Sequence, residues 1–283
     1  MKVAITGAKG MLGTTLMNTL QGYELFALDR EECDITNPSL VCSVFEKIKP
    51  DVVIHCAAMT AVDLCESKQF EAWKINAFGT TNVAHACNKI GAKLIAISTD
   101  YVFGGELDRP YHEYDQPNGG LNIYAKSKWA AEQAVRSLCP NHLIARVSWL
   151  YGGSGPSFVH TMLRLADGTR PELKVVNDQI GNPTSTIAVA EALQVILKCL
   201  QLVGTVHLTC EGEASWFDFA QKIFELKGIN QKVLPCTSDQ YPTPAKRPYN
   251  SRLQKLVLKE SGAYQMPNWE DALNDFLSSM NKN

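Results

Sequence analysis

Several features are scarce in this 283-residue chain, and each scarcity removes a class of protein. No apolar run approaches the roughly 20 residues that span a bilayer, so no membrane role is expected. The formal charge is only -2 and the pI about 6.3, with lysines and arginines scattered; there is no basic field for a nucleic acid. The nine cysteines form no C-x-x-C pair and no Cys/His group with zinc spacing. Most sit in apolar contexts, such as Cys56 in "VVIHCAA" and Cys199 in "VILKCL". They read as buried, reduced thiols of a cytoplasmic protein rather than a disulfide framework. The six histidines show no ligand spacing, and His160 and His207 read as structural. Internal repeats, coiled-coil runs and low-complexity segments are missing as well. The opening "MKVAITG" enters a strand pattern without a leader, which again points to the cytoplasm.

What is present is an alternation of strand and helix. "KVAIT" (2–6), "YELFALD" (23–29), "DVVIHCAA" (51–58), "AKLIAIS" (92–98) and "HLIARVSW" (142–149) are apolar throughout rather than alternating. That pattern suits parallel strands buried on both faces. Helical stretches lie between them: "GMLGTTLMNTLQ", "PSLVCSVFEKI", "EAWKINAFGTTNVAHACNKIG" and "IYAKSKWAAEQAVRSL". The expected fold is α/β, a Rossmann-type doubly wound parallel sheet with ligands beyond the carboxyl ends of the strands. After Trp149 the pattern is mixed. A helix over 184–201 and a strand over 204–210 are expected to join the main sheet. A helix over 215–228 has Ser215 as N-cap, the four-proline stretch 235–248 is loop, and a last helix begins near Pro267. The domains expected are 1–148 plus about 184–211 for the dinucleotide, and about 149–183 plus 212–283 as a smaller C-terminal substrate-binding region.

"TGAKGMLG" places Gly7, Gly10 and Gly13 directly after the first strand, with Met11 and Leu12 opening the helix that follows. Glycine permits a tight turn whose backbone N–H groups approach a pyrophosphate at a helix N-terminus. A glycine triplet alone is a weak signal; between a strand and a helix it is much stronger. The second strand ends at Asp29, followed by Arg30. An acid there binds the adenosine ribose and favours NAD, whereas an arginine accommodates the 2′-phosphate of NADP. With both present the choice stays open, leaning to NADPH with NADH tolerated.

"NIYAKSKWAAEQ" carries Tyr124 and Lys128 four residues apart, on one helix face. A free phenol titrates near 10, too high for acid–base work at neutral pH. An ammonium about 4 Å away, at an effective dielectric near 20, favours the phenolate by roughly 4 kcal/mol, up to about three pK units. The pair reads as an acid–base device, with small neighbours Ala125 and Ser127 leaving room for a cofactor.

The glycine triplet, "STDYVF", and Tyr124 with Lys128 together resemble the extended short-chain dehydrogenase/reductases. The finer resemblance is to dTDP-4-dehydrorhamnose reductases. It rests on "HCAAMTAVDLCE", "ISTDYVFGG", "ARVSWLYG", "VVNDQIGNPTS", "YPTPAKRPYNSRL" and "MPNWEDAL", in the family's order over nearly the whole chain. The resemblance implies NAD(P)H-dependent reduction of the 4-keto group of dTDP-6-deoxy-L-lyxo-4-hexulose to dTDP-L-rhamnose. It implies that Tyr124 donates the proton, that Lys128 lowers the tyrosine pKa and holds the nicotinamide ribose, and that Thr99 polarises the carbonyl. Ala57, Ala58, Met59 and Thr60 would line the cofactor, with Asp34 and its neighbour Ile35 near the adenine. Asp100 and Trp149 match substrate-contacting positions, and Asn177, Gln179, Arg247 and Asn250 are candidates for the nucleotide-sugar side. Asp63 and Glu66, a carboxylate pair, read as helix surface charge.

Some members of that family dimerise through a magnesium site of glutamates. Here the matching positions hold Thr15, Ile187 and Glu270, so only one acid remains. The expectation is no metal, and a monomer or weak metal-independent dimer. The same scaffold also leaves open another nucleotide-sugar ketoreductase or epimerase. A non-catalytic binding module, like the regulatory subunit of methionine adenosyltransferase, is open too.

Overall fold

The computed structural model describes residues 1–153 and 155–280. Five strands alternate with helices: β1 (Lys2–Thr6), β2 (Glu24–Leu28), β3 (Val52–His55), β4 (Lys93–Thr99) and β5 (His142–Val147). A sixth strand, Gly204–His207, pairs with β5 at one edge. The order across the sheet is Gly204–His207, β5, β4, β3, β1, β2, and every pairing is parallel.

Alternate side chains of each strand enter two different cores, as the two-residue strand period requires. Val3, Ile5, Val52, Ile54, Ile95, Leu143 and Ala145 face one way with Leu12, Leu16 and Leu193. Ala4, Val53, Leu94, Ala96 and Ile144 face the other with Val41, Phe45, Val83 and Val135. The apolar strand runs are therefore the mark of a sheet covered by helices on both sides. The first core continues without a break into the C-terminal elements through Leu173, Val175, Phe219, Leu273 and Phe276.

Local signals set the helix ends. Asn122 caps helix Ile123–Leu138 by accepting from Ala125 N–H at 2.8 Å. Ser215 opens helix Trp216–Lys227 in a full capping box with Asp218. The last helix is Trp269–Ser279, entered through an Asn268 cap.

Three expectations need correction. The helix expected over 184–201 spans only Thr186–Ile196, because Ser185 caps it by accepting from Ala188 N–H. The carbonyls of Leu200 and Leu202 turn instead to the buried Lys93 ammonium, at 2.9 and 2.7 Å. The 235–248 loop loses its start to a strand, Lys232–Cys236, which pairs with Glu172–Val176. Pro235 is tolerated there because a two-stranded ribbon leaves one side of each strand unpaired. The long helix expected over 71–91 widens to a π-helical stretch at Trp73–Gly79 before Thr80–Ile90. Asn76, at its centre, turns its amide onto Met59, accepting from the N–H at 2.7 Å and donating to the C=O at 3.1 Å.

Among the described residues no helix is long and apolar enough to cross a membrane. One buried group ties sheet to helix: His55 bridges the hydroxyls of Thr6 (2.6 Å) and Thr80 (2.9 Å). Burial, then the Lys128 charge, hold its pKa down to about 3 against 6.5 for a free imidazole. The unfolded chain therefore binds this proton first on acidification. Folding stability should be full above about pH 6.5 and fall as the pH drops from there toward 3. Urea midpoints at pH 7 and pH 4.5 check this; a His55→Gln variant should show a shallower decline.

Candidate active site

The first turn of the chain is shaped to admit a backbone-bound anion. Gly7 has φ of 68°, and a Cβ there would lie 2.7 Å from the Ala57 nitrogen. A Cβ on Gly13 would collide with the Gly7 carbonyl. The loop thus presses against the end of β3, and only glycine allows it. Gly7, Gly10, Met11, Leu12 and Gly13 line a cavity of about 380 Å³ beyond the carboxyl ends of β1, β3, β4 and β5. Ala58 and Thr60 form part of the same wall. Ala57 contributes through its backbone contact with Gly7. Met59 is held by Asn76 and does not line the cavity.

At the tip of β2 the Asp29 carboxylate accepts from the N–H groups of Lys9 (2.9 Å) and Arg30 (2.8 Å). That fixes an acid beside the glycine turn, with lone pairs left for ribose hydroxyls. Arg30 is exposed and only 3.9 Å from Asp34. Asp34 accepts from Thr36 N–H and Oγ1; the N–H bond is the main reason its pKa is lowered. The Ile35 side chain does not line the cavity: it is buried in the second core and packs on Gly79.

Helix Ile123–Leu138 brings Tyr124 and Lys128 to that cavity, and the end of β4 brings Thr99 and Asp100. The Lys128 ammonium is buried and donates to the Ile97 carbonyl at 2.8 Å. Burial pushes it down to about 8, against the pull of Glu132 and then Cys56. Burial raises the pKa of the Tyr124 phenol, and the Thr99 hydroxyl lowers it by less. Lys128 and Tyr124 lie on one helix and line one cavity. No hydrogen bond joins the two side chains among the described residues, because the ammonium is turned to Ile97. Glu132, one turn beyond Lys128, is buried and fully bonded. It accepts from Ser98 Oγ (2.6 Å), Arg146 Nε and Nη2 (2.9 and 2.8 Å) and Arg136 Nη1 (3.0 Å).

Trp149 follows β5 with φ of 46°, an uncommon backbone state for a bulky residue. Its indole stacks on Trp216 at 3.6 Å and 3°, donates to Ser251 Oγ at 3.2 Å, and lies over Gly181, which has no room for a side chain. Trp216 lines both this cavity and a larger one of about 690 Å³. The larger cavity takes apolar walls from Phe158, Met162, Leu173 and Val175, and polar ones from Gln179, Ser238, Lys246 and Arg247.

Gln179 is held there by Trp216 Nε1 and Ser238 Oγ. Arg247 forms a two-pronged ion pair with Asp63 at 2.9 and 2.8 Å, which crosses the cleft. Asp63 is therefore a clamp rather than surface charge, its pKa lowered chiefly by the Arg247 hydrogen bond. Glu66 likewise accepts from Ile123 N–H at 2.7 Å and anchors the start of the Tyr124 helix. Asn177 and Asn250 reach neither cavity. Asn177 accepts from Ser215 Oγ, and Asn250 ties the carbonyls of Leu107 and Arg109 to Arg252. Three supporting residues went unread in sequence, Asn76, Glu132 and Trp216, and the clamp Asp63 was read as surface charge. For Glu132 the signal was available, since it continues the four-residue spacing of Tyr124 and Lys128.

Of the family's metal positions, Thr15 bonds Thr186 Oγ1, Ile187 is exposed and Glu270 pairs with Lys222.

A parallel six-stranded sheet, a glycine cradle at β1 and a Tyr/Lys helix beside it define a Rossmann-type oxidoreductase of the short-chain dehydrogenase/reductase kind. The comparisons place it more narrowly. A family described as the RmlD substrate binding domain matches residues 1–282, and the chain belongs to that family. It is 40% identical over 283 residues to a dTDP-4-dehydrorhamnose reductase of Sinorhizobium fredii, covering 96% of this chain and 95% of that one. A crystal structure of a dTDP-4-dehydrorhamnose reductase from Clostridium acetobutylicum superposes with a TM-score of 0.96 at 43% identity, over 99% of this chain and 100% of the other. A Bacillus anthracis dTDP-4-dehydrorhamnose reductase in complex with NADP gives 0.93 at 42%, over 98% and 99%.

Gly13→Ala should weaken NADPH binding by more than about tenfold, since the added methyl meets backbone that cannot swing away. Calorimetric titration, with circular dichroism to confirm the fold, is the check. Unchanged affinity would mean the turn does not hold the pyrophosphate.

Proposed function

We propose that this chain reduces the 4-keto group of dTDP-6-deoxy-L-lyxo-4-hexulose with NADPH or NADH, yielding dTDP-L-rhamnose. The observation that carries the reading is the convergence of Thr99, Tyr124 and Lys128 on the cavity that the glycine turn opens. The cradle fits a dinucleotide: the glycines leave space a Cβ would fill, and Asp29 stands beside it. When bound, the nicotinamide supplies the hydride to the sugar C4.

Each remaining task falls to a residue of the chain. Backbone N–H groups at the start of helix Met11–Thr19 face the pyrophosphate, where the helix dipole favours negative charge. Lys128, fixed by Ile97, orients the nicotinamide ribose with its remaining donors. Thr99 and Tyr124 share the carbonyl oxygen, and Tyr124 yields its proton as charge develops there. The nucleotide portion lies in the larger cavity, against Phe158 and Val175, with Lys246 and Arg247 toward the diphosphate. The stacked Trp149 and Trp216 stand between the two compartments and confine the sugar.

The division into 1–148 plus about 184–211 and about 149–183 plus 212–283 belongs to this proposal, as do a cytoplasmic location and a monomer or metal-independent dimer. The continuous first core supports the view that the two parts pack as one body.

The test is NAD(P)H consumption with dTDP-4-keto-6-deoxyglucose and a 3,5-epimerase, the epimerase omitted as control. Oxidation should require the epimerase and fall about 10²–10⁴-fold in Tyr124→Phe, with cofactor affinity little changed. Epimerase-independent oxidation would point to a different ketosugar reductase. Cofactor binding without oxidation would make the chain a non-catalytic binding module.

A further inference from the structure

The run Asn177–Gly181 follows the strand Glu172–Val176, and all five of its residues serve one place. Asn177 Oδ1 accepts from Ser215 Oγ at 2.7 Å, and Ser215 caps the helix whose first residue is Trp216. Asp178 holds Ser238 by its N–H at 2.9 Å and by its hydroxyl at 2.6 Å. That commits the hydroxyl proton, so the Ser238 oxygen accepts from Gln179 Nε2 at 2.9 Å. The amide is thereby oriented with its Oε1 toward Trp216 Nε1, at 3.2 Å. Ile180 pairs with Ser215 in a short antiparallel ladder. Gly181 lies under the Trp149 indole, where a Cβ would come within 2.6 Å of the ring.

The two indoles do not place themselves. Their centroids are 3.6 Å apart at 3°, almost overlaid, whereas free aromatic pairs prefer offset or edge-on contacts. Trp149 is held by its left-handed backbone and by Ser251. Trp216 is held by Gln179 and by Phe158, 4.6 Å away. Trp149 lines the smaller cavity together with Thr99 and Tyr124. We propose that Trp216 is a positioning residue for the reduction, and that Asn177–Gly181 is the bracket that fixes it behind Trp149 in the pose the sugar needs. The inference rests on the reductase reading above. It gives Asn177 and Gln179 a task beyond the ligand contact expected of them, and it brings in Asp178, which lines neither cavity.

Firm backing matters to the chemistry. A reacting carbonyl displaced by about 1 Å from its donors can lose about 10²-fold in rate. A platform preset by hydrogen bonds within the protein costs little further ordering when the ligand arrives. Because the bracket closes on groups of the chain itself, the platform keeps its pose whichever nucleotide fills the larger cavity.

Two measurements test the proposal. Near-ultraviolet circular dichroism needs no substrate, and the difference between wild type and Trp216→Phe defines the band of the stacked pair. Asp178→Ala should lose most of that band with its far-ultraviolet spectrum intact. Asp178→Asn, which keeps an acceptor for Ser238, should retain it. The second measurement is steady-state NADPH oxidation with the keto sugar. Trp216→Phe and Asp178→Ala should each lower kcat at least about tenfold, while KM for the keto sugar moves less than about threefold. Asp178→Asn should restore most of the loss. An intact band in Asp178→Ala would overturn the bracket. A lost band with unchanged kcat would overturn the positioning role. Should Asp178→Ala not fold, Gln179→Leu replaces it in both measurements, since leucine cannot accept the indole N–H. A wild type that oxidises no NADPH would overturn the reductase reading and the positioning role with it, while the band still decides the bracket.

Discussion

The buried pairing of Glu132 with Arg146 holds the site's geometry in place. Both side chains are almost wholly enclosed, and the carboxylate is bonded on both oxygens. One partner sits on the Tyr124 helix and the other on β5, so the pair pins the helix to the sheet two turns from the reactive phenol. A buried ion pair is a weak source of net stability, because desolvating two charges offsets most of their attraction. Removing one partner, however, strands the other charge in the interior, so the register of helix against sheet is strongly enforced. The Ser98 hydroxyl on the same carboxylate extends that control to the residue before Thr99.

A second layer of restraint spans the cleft. Asp63 and Arg247 join the short helix Val62–Ser67 to the proline-rich segment, and Glu66 fixes the first N–H of the Tyr124 helix. Asn122 adds its amide to the Lys246 carbonyl. The arginine expected to meet diphosphate is thus already neutralised by an acid. On the proposed reading, an incoming diphosphate would compete with Asp63 for the same guanidinium, which would set part of the cost of binding.

The sheet was legible in sequence because its evidence is local: apolar runs of strand length, each bounded by turn residues. Gly7, Gly10 and Gly13 were legible for the same reason, and so was the shared face of Tyr124 and Lys128. The misreadings all involve partners distant in the chain. Asp63 meets a residue 184 positions away, and nothing in "AVDLCES" reports it. Asn250 looked like a ligand contact but supports the loop at Leu107 and Arg109, over 140 residues distant. The short strand at Pro235 was hidden by a residue that normally excludes strands. The π-helical turn at Asn76 follows from a side chain gripping Met59, a tertiary event that helical periodicity cannot encode.

The stacked indoles of Trp149 and Trp216 separate the compartment beside the glycine turn from the one beneath the proline-rich segment. Among the described residues Trp216 is the single one lining both. On the proposed reading, substitutions along the larger compartment, at Phe158, Val175 or Tyr241, would reshape the nucleotide end of a ligand while the redox end keeps its geometry. The partition makes the fold modular at the level of a few side chains: preference for a carrier nucleotide can drift by small steps, with the chemistry carried along unaltered.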